Sequence, residues 1–158
     1  MTIIGTTMKT KIIILLTLII YSCAYIQEDY NYWYCLPDDS KVPENIKMFK
    51  QISDYVYGDK GIKYKANYGK VASPQVTLDM GYGSCFERSL LILALIKKRN
   101  NYKGALAIGD FNNSNTCNHA EAYCHKKIIN YGNNSFKIWQ VIEWQNIASF
   151  IKDYNNVY

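Results

Sequence analysis

Gly81-Tyr82-Gly83-Ser84-Cys85-Phe86-Glu87-Arg88-Ser89-Leu90-Leu91-Ile92-Leu93-Ala94-Leu95-Ile96-Lys97-Lys98-Arg99 is the stretch on which the fold turns. A glycine-rich turn leads into a segment from Cys85 to about Arg99 whose seven successive apolar residues, Leu90 to Ile96, cover every face of a helix. A helix apolar all round must be buried on all sides, and this one is too long for a typical strand. It is therefore expected to be the central helix. Its last turn carries Lys97, Lys98 and Arg99, which the helix dipole favours at a C-terminus.

Outward from that helix, Ile46, Phe49, Ile52 and Val56 recur at helical spacing between Pro43, a helix starter, and Gly58. Residues 61–76 are rich in Lys, Tyr and Gly without periodicity and predict an extended, partly exposed excursion. Downstream, Asn100 to Gly104 breaks the helix, and Ala105 to Ile108 reads as a short buried strand closing at Gly109. After an Asn-rich loop, His119 to Cys124 and Phe136 to Trp144 read as two strands. The turn-rich Asn130 to Asn134 between them predicts that they form an antiparallel hairpin. Ile147, Phe150, Ile151 and Tyr154 then predict a closing helix packed on the sheet. The expected class is α+β, with the central helix packed on an antiparallel sheet.

Length and composition agree with one folded domain. The 158 residues are 49% hydrophobic and 20% charged, enough apolar material for a core and unlike a disordered polar chain. The net charge of +5 includes Lys9 and Lys11. Without residues 1–22 it is +3, too weak a balance to point to nucleic acid.

Those first residues read as an address. Lys9 and Lys11 precede the apolar run Ile12 to Ile20, which ends in Tyr21-Ser22-Cys23. The run is short for a permanent membrane span. Ile20-Tyr21-Ser22-Cys23 resembles the bacterial lipobox, which implies lipidation at Cys23 and a membrane partner through that anchor. The expected organisation is a signal peptide over 1–22, a tether over 23–42 and a folded domain over 43–158. That domain would lie in the cell envelope, anchored at the membrane, where disulfides persist. Cys35, Cys85, Cys117 and Cys124 are then candidates for bridges, with Cys117–Cys124 one pairing that would steady the loop before His119.

Cys85 is chemically privileged because unpaired N–H groups at a helix start stabilise a thiolate. An imidazole in hydrogen-bond reach would activate it further, held in its tautomer by an acceptor on the other nitrogen. Of the two histidines, His119 opens a strand after a loop, while His125 precedes Lys126-Lys127 and reads as a solvent-facing strand end. If the His119 strand pairs with the Trp139 to Glu143 strand, Glu143 is the carboxylate available to orient the imidazole. Cys85, His119 and Glu143 form the candidate triad.

The order of these residues resembles the transglutaminase-like branch of the papain-fold superfamily over about 60 residues, from Gly83 to Glu143. Gly83-Ser84-Cys85 with Ser89 four residues on, the long helix, Ala105 to Gly109, His119-Ala120 with Tyr123, and Trp139-Gln140-Val141-Ile142-Glu143 carry the likeness. The resemblance implies a papain-like core and acyl transfer through a thioester on a protein or peptide substrate, ending in cross-linking or hydrolysis. A small single domain, with little room for a second-substrate tunnel, favours hydrolysis. It also implies that the Cys85 N–H binds the oxyanion, with Tyr82 and Ser84 beside it. The family usually has aspartate where Glu143 stands and an aromatic residue where Glu121 stands. No organic cofactor is expected, since no glycine loop cradles phosphate. Two other readings stand beside this one. Cys117, His119, Cys124 and His125 are soft or borderline metal ligands, and fifteen tyrosines could serve a non-catalytic binding surface.

Overall fold

The computed structural model describes residues 36–67, 69–112, 114–129 and 136–157, all within one unit spanning 34–158. The expected signal segment, Cys23, Cys35 and the expected turn at 130–134 lie outside the described residues. In chain order the elements are α1 (Phe49–Tyr57), β1 (Lys63–Tyr64), α2 (Pro74–Met80), β2 (Tyr82–Gly83), α3 (Cys85–Asn100) and β3 (Ala105–Phe111). They continue with β4 (His119–Cys124), β5 (Lys127–Ile128), β6 (Phe136–Glu143), a 3-10 turn (Trp144–Asn146) and α4 (Ile147–Val157). The class is α+β. Among the described residues no helix is long and apolar enough to cross a membrane.

α3 is the core. Leu90 to Ile96 are each at most 4% exposed, and burying a Leu or Ile side chain contributes about 1.5–3 kcal/mol. The helix ends at Asn101, whose left-handed φ of 52° suits a C-cap. Lys98 and Arg99 do more than complement its dipole, for both pair with Asp39, at 2.8 and 2.6 Å. Arg99 also donates to the carbonyls of Val42, Pro43 and Ile46. With those carbonyls taken, the chain does not enter a helix at Pro43; α1 begins six residues later, after Met48.

The 61–76 stretch is more regular than its sequence suggests. β1 runs parallel to β2, pairing Lys63 with Tyr82 and Tyr64 with Gly83. Ser73 caps α2, its hydroxyl accepting from the Val76 N–H, and Pro74 follows at the first helical position.

The larger sheet has the order β5-β4-β3-β6 with every neighbour antiparallel. This corrects the expected hairpin, because β3 lies between β4 and β6. β4 instead turns tightly into β5 through His125 and Lys126, whose φ values of 50° and 60° are those of a two-residue type I′ turn. β3 also runs past Gly109 to Phe111, with a bulge between Ile108 and Gly109. α4 buries Ile147 and Ile151 and stacks Phe150 and Tyr154 on Phe86 of α3.

Candidate active site

The approach to Cys85 is built by local rules. Gly81, at φ 69°, ends α2 in the left-handed region, and β2 carries the chain to Ser84. Ser84 is the N-cap of α3 in a capping box: its hydroxyl accepts from the Glu87 N–H, and Glu87 Oε2 accepts from the Ser84 N–H at 2.8 Å. The Ser84 side chain is therefore engaged in holding the helix start. Cys85 is the first helical residue, where N–H groups lack intrahelical acceptors.

Across from it, Ser89 Oγ lies 2.8 Å from the Cys85 carbonyl oxygen and 2.9 Å from that of Ala120. This bond ties α3 to β4 one residue beyond His119, and it sets the imidazole against the thiol. The His119 imidazole and the backbone N–H groups of Ala120 and Phe86 stand close enough to the Cys85 thiol to act on its charge. Burial pushes the thiol up, but the His119 bond and charge and the two N–H groups together hold it below the ordinary cysteine value. For His119 burial pulls the value down, and the bonds and charges of Cys85 and Glu121 outweigh it, raising it to about 9. The arrangement favours a thiolate beside an imidazolium.

The acceptor on the other ring nitrogen is Glu121, whose Oε1 is 2.6 Å from His119 Nε2. Glu121 is 4% exposed and its second oxygen accepts from Tyr57 Oη at 3.1 Å. Tyr57 Oη is also 3.0 Å from Ser89 Oγ, and the Arg88 guanidinium lies 4.2 Å above the Tyr57 ring. Phe111 and Phe136 flank the imidazole, with ring centroids at 5.2 and 5.7 Å. Tyr57→Phe is expected to cost about 1 kcal/mol by chemical denaturation, since a buried carboxylate oxygen loses one donor.

The expected third member needs correction. Glu143 is exposed at the far end of β6, paired with Ala105, whereas His119 is in register with Gly109 and Ile138. With β3 between the two strands, Glu143 and His119 are at opposite ends of the sheet. Glu121 was readable: residues two apart in a strand share a face, so His119 and Glu121 point the same way.

Cys117 and Cys124 are both free, which corrects the pairing considered for them. Cys117 is exposed before β4 starts and Cys124 is buried where β4 ends, so the length of the strand separates them. Burial raises the Cys124 thiol to about 12. His125 stacks on Phe49 and Tyr102, away from Cys117. Among the described residues no group of three or more His, Cys, Asp or Glu side chains is placed to hold a metal ion. Tyr82 is exposed beside the helix start with Lys65 Nζ 4.4 Å from its ring centroid.

Compared with family models, curated proteins and solved structures, the chain matches none.

Proposed function

We propose that this protein is a thiol acyltransferase or amidohydrolase, in which Cys85 is the nucleophile, His119 the proton carrier and Glu121 the residue that orients His119. The observation that carries the reading is the imidazole of His119, held at 2.6 Å by a buried carboxylate, with the Cys85 thiol within its electrostatic reach. The order of Cys85, His119-Ala120 and the strand segments, similar to that of transglutaminase-like proteins, supports a papain-like arrangement of this α+β core. The lipobox-like Ile20 to Cys23 supports a site outside the cytoplasm, anchored at a bacterial membrane.

In this mechanism the Cys85 thiolate attacks the carbonyl carbon of an amide, and the carbonyl electron pair moves onto oxygen. The Cys85 N–H at the helix start faces that developing charge. As the tetrahedral species collapses, the C–N bond breaks and the imidazolium of His119 gives its proton to the leaving amine. A thioester remains on Cys85. His119, now neutral, takes a proton from water or an incoming amine, which attacks the thioester and releases the thiolate. Glu121 holds the Nε2–H throughout.

The test is the alkylation of each cysteine by iodoacetamide against pH in the full chain, mapped by mass spectrometry. Cys85 is expected to react with a midpoint below that of an ordinary thiol, about 8.5, and to lose that advantage in His119→Ala. Cys124, buried, should react last. A Cys85 that titrates like a free thiol overturns the enzyme and leaves a binding protein.

A further inference from the structure

A groove of about 360 Å³ opens beside the helix start, lined by Lys65, Asn67, Lys70, Val76, Met80 and Tyr82, with Glu87 in its wall. Tyr82 stands three residues before Cys85, and Ser84, held by Glu87, stands next to it. We propose that this groove receives an acidic side chain of the peptide on which Cys85 acts. The proposal deepens the thiol-enzyme reading and rests on it.

Charge carries the argument. Lys41, Lys50, Lys98 and Arg99 each pair with an aspartate within 2.8 Å. Lys60, Lys63, Lys65 and Lys70, all exposed, have no carboxylate within ion-pair distance among the described residues. Among the described lysines with no ion pair, Lys65 and Lys70 both line this groove. The negative charge in its wall is already engaged: Glu87 is 2% exposed, Oε1 accepts from Asn67 Nδ2 and the Ala72 N–H at 2.7 and 2.8 Å, and Oε2 accepts from the Ser84 N–H. With two lysines against one buried carboxylate whose oxygens are already taken, the groove presents a net positive balance over an apolar floor of Val76 and Met80.

The geometry suits an extended peptide in particular. The β1 N–H of Lys63 and that of Lys65 donate to the Gly81 and Gly83 carbonyls, so Tyr64, 62% exposed, turns the outer edge of a two-stranded sheet to solvent. A peptide laid along that edge can make backbone bonds there while one carboxylate enters the groove. The Lys65 ammonium sits over the ring of Tyr82, which also lines the groove.

The experiment measures binding of two fluorescein-labelled pentapeptides, Glu-Ala-Glu-Ala-Glu and its Gln-Ala-Gln-Ala-Gln counterpart, to the full chain carrying Cys85→Ala. Because exposed ion pairs are individually weak, the acidic peptide is expected to bind about three- to tenfold tighter, the preference shrinking with salt. The preference should vanish in the Lys65→Gln/Lys70→Gln variant, whose altered side chains are exposed. In the Cys85 form, the acidic peptide should slow iodoacetamide alkylation of Cys85. Equal affinities, a preference that survives the double substitution, or lysine-dependent binding that leaves alkylation of an activated Cys85 unchanged would each overturn the subsite. Displacement of the peptide by phosphatidylglycerol vesicles through the same two lysines would assign the groove to a lipid headgroup and overturn it too. A Cys85 that alkylates like an ordinary thiol, beside a preference that tracks the lysines, removes the enzyme and keeps the groove as a peptide site.

Discussion

Glu121→Gln is expected to lower hydrolysis of a peptide p-nitroanilide by on the order of 100-fold or more, while Glu143→Gln stays within about twofold of the parent. The asymmetry follows from what each carboxylate touches. Glu121 accepts from His119 Nε2 at 2.6 Å and is buried, so its charge acts on the imidazole with little screening by water. Glu143 is exposed on β6, four register steps of the sheet away from the His119 level. The pH profile separates orientation from simple loss of structure. His119, raised to about 9 by Cys85 and Glu121 against its burial, is protonated below that value, and acyl transfer that needs an imidazolium should decline as pH rises through about 9. Removing the Glu121 charge removes part of that elevation, so the alkaline limb moves to lower pH. The thiolate then loses part of its counterion, and the acid limb, which lies below the ordinary cysteine value in the parent, moves up. A bell that narrows from both sides is the signature of Glu121 acting through His119. A uniform drop with both limbs in place would mean that the variant had only lost folded protein, and equal losses in the two variants would return Glu143 to the mechanism.

How much of this was legible in the residues depended on whether the signal was local. Leu90 to Ile96 has one physical solution, a helix buried all round, and the glycine turn ending in a Ser cap fixes where that helix starts. The strand order is a different kind of fact. Asn130 to Asn134 has turn composition, and a hairpin joining the strands on either side is the ordinary inference. It fails because the outer edge of β4 is already taken by β5. The turn that takes it, His125-Lys126, adopts left-handed φ at both residues without the Asn-Gly that usually announces it. Once β5 occupies that edge, β6 must pair elsewhere, and β3 offers the free side. The misplacement of Glu143 followed from that one turn. Glu121 was missed for another reason: the strand period of two puts it beside His119, but the family pattern has an aromatic residue there, so it was read as a departure.

Gly109→Ala is expected to cost about 2–4 kcal/mol. A Cβ at Gly109 would stand 2.1 Å from the Lys137 carbonyl oxygen, 3.0 Å from its carbon and 3.1 Å from Ile138 Cα. All three are backbone atoms, so no rotamer change can make room, and β6 has to move away from β3 at the bulge. Gly104 makes the useful contrast. A Cβ there would meet Cys124 Sγ and Leu93 Cδ2 at 2.6 Å, which are side-chain ends that can swing aside, so Gly104→Ala should cost less. The Gly109 substitution also reaches the chemistry. Gly109 is in register with His119, its carbonyl accepts from the Asn118 N–H at 3.1 Å, and the Phe136 ring that flanks the imidazole belongs to the strand that must shift. Thermal unfolding of the two alanine variants, read beside the iodoacetamide profile of Cys85, tests both consequences. Gly109→Ala should melt lower than Gly104→Ala and carry its Cys85 midpoint back toward an ordinary thiol. An unfolding curve indistinguishable from the parent would mean that β3 and β6 are not held at the bulge, and that the wall behind His119 is looser than the register implies.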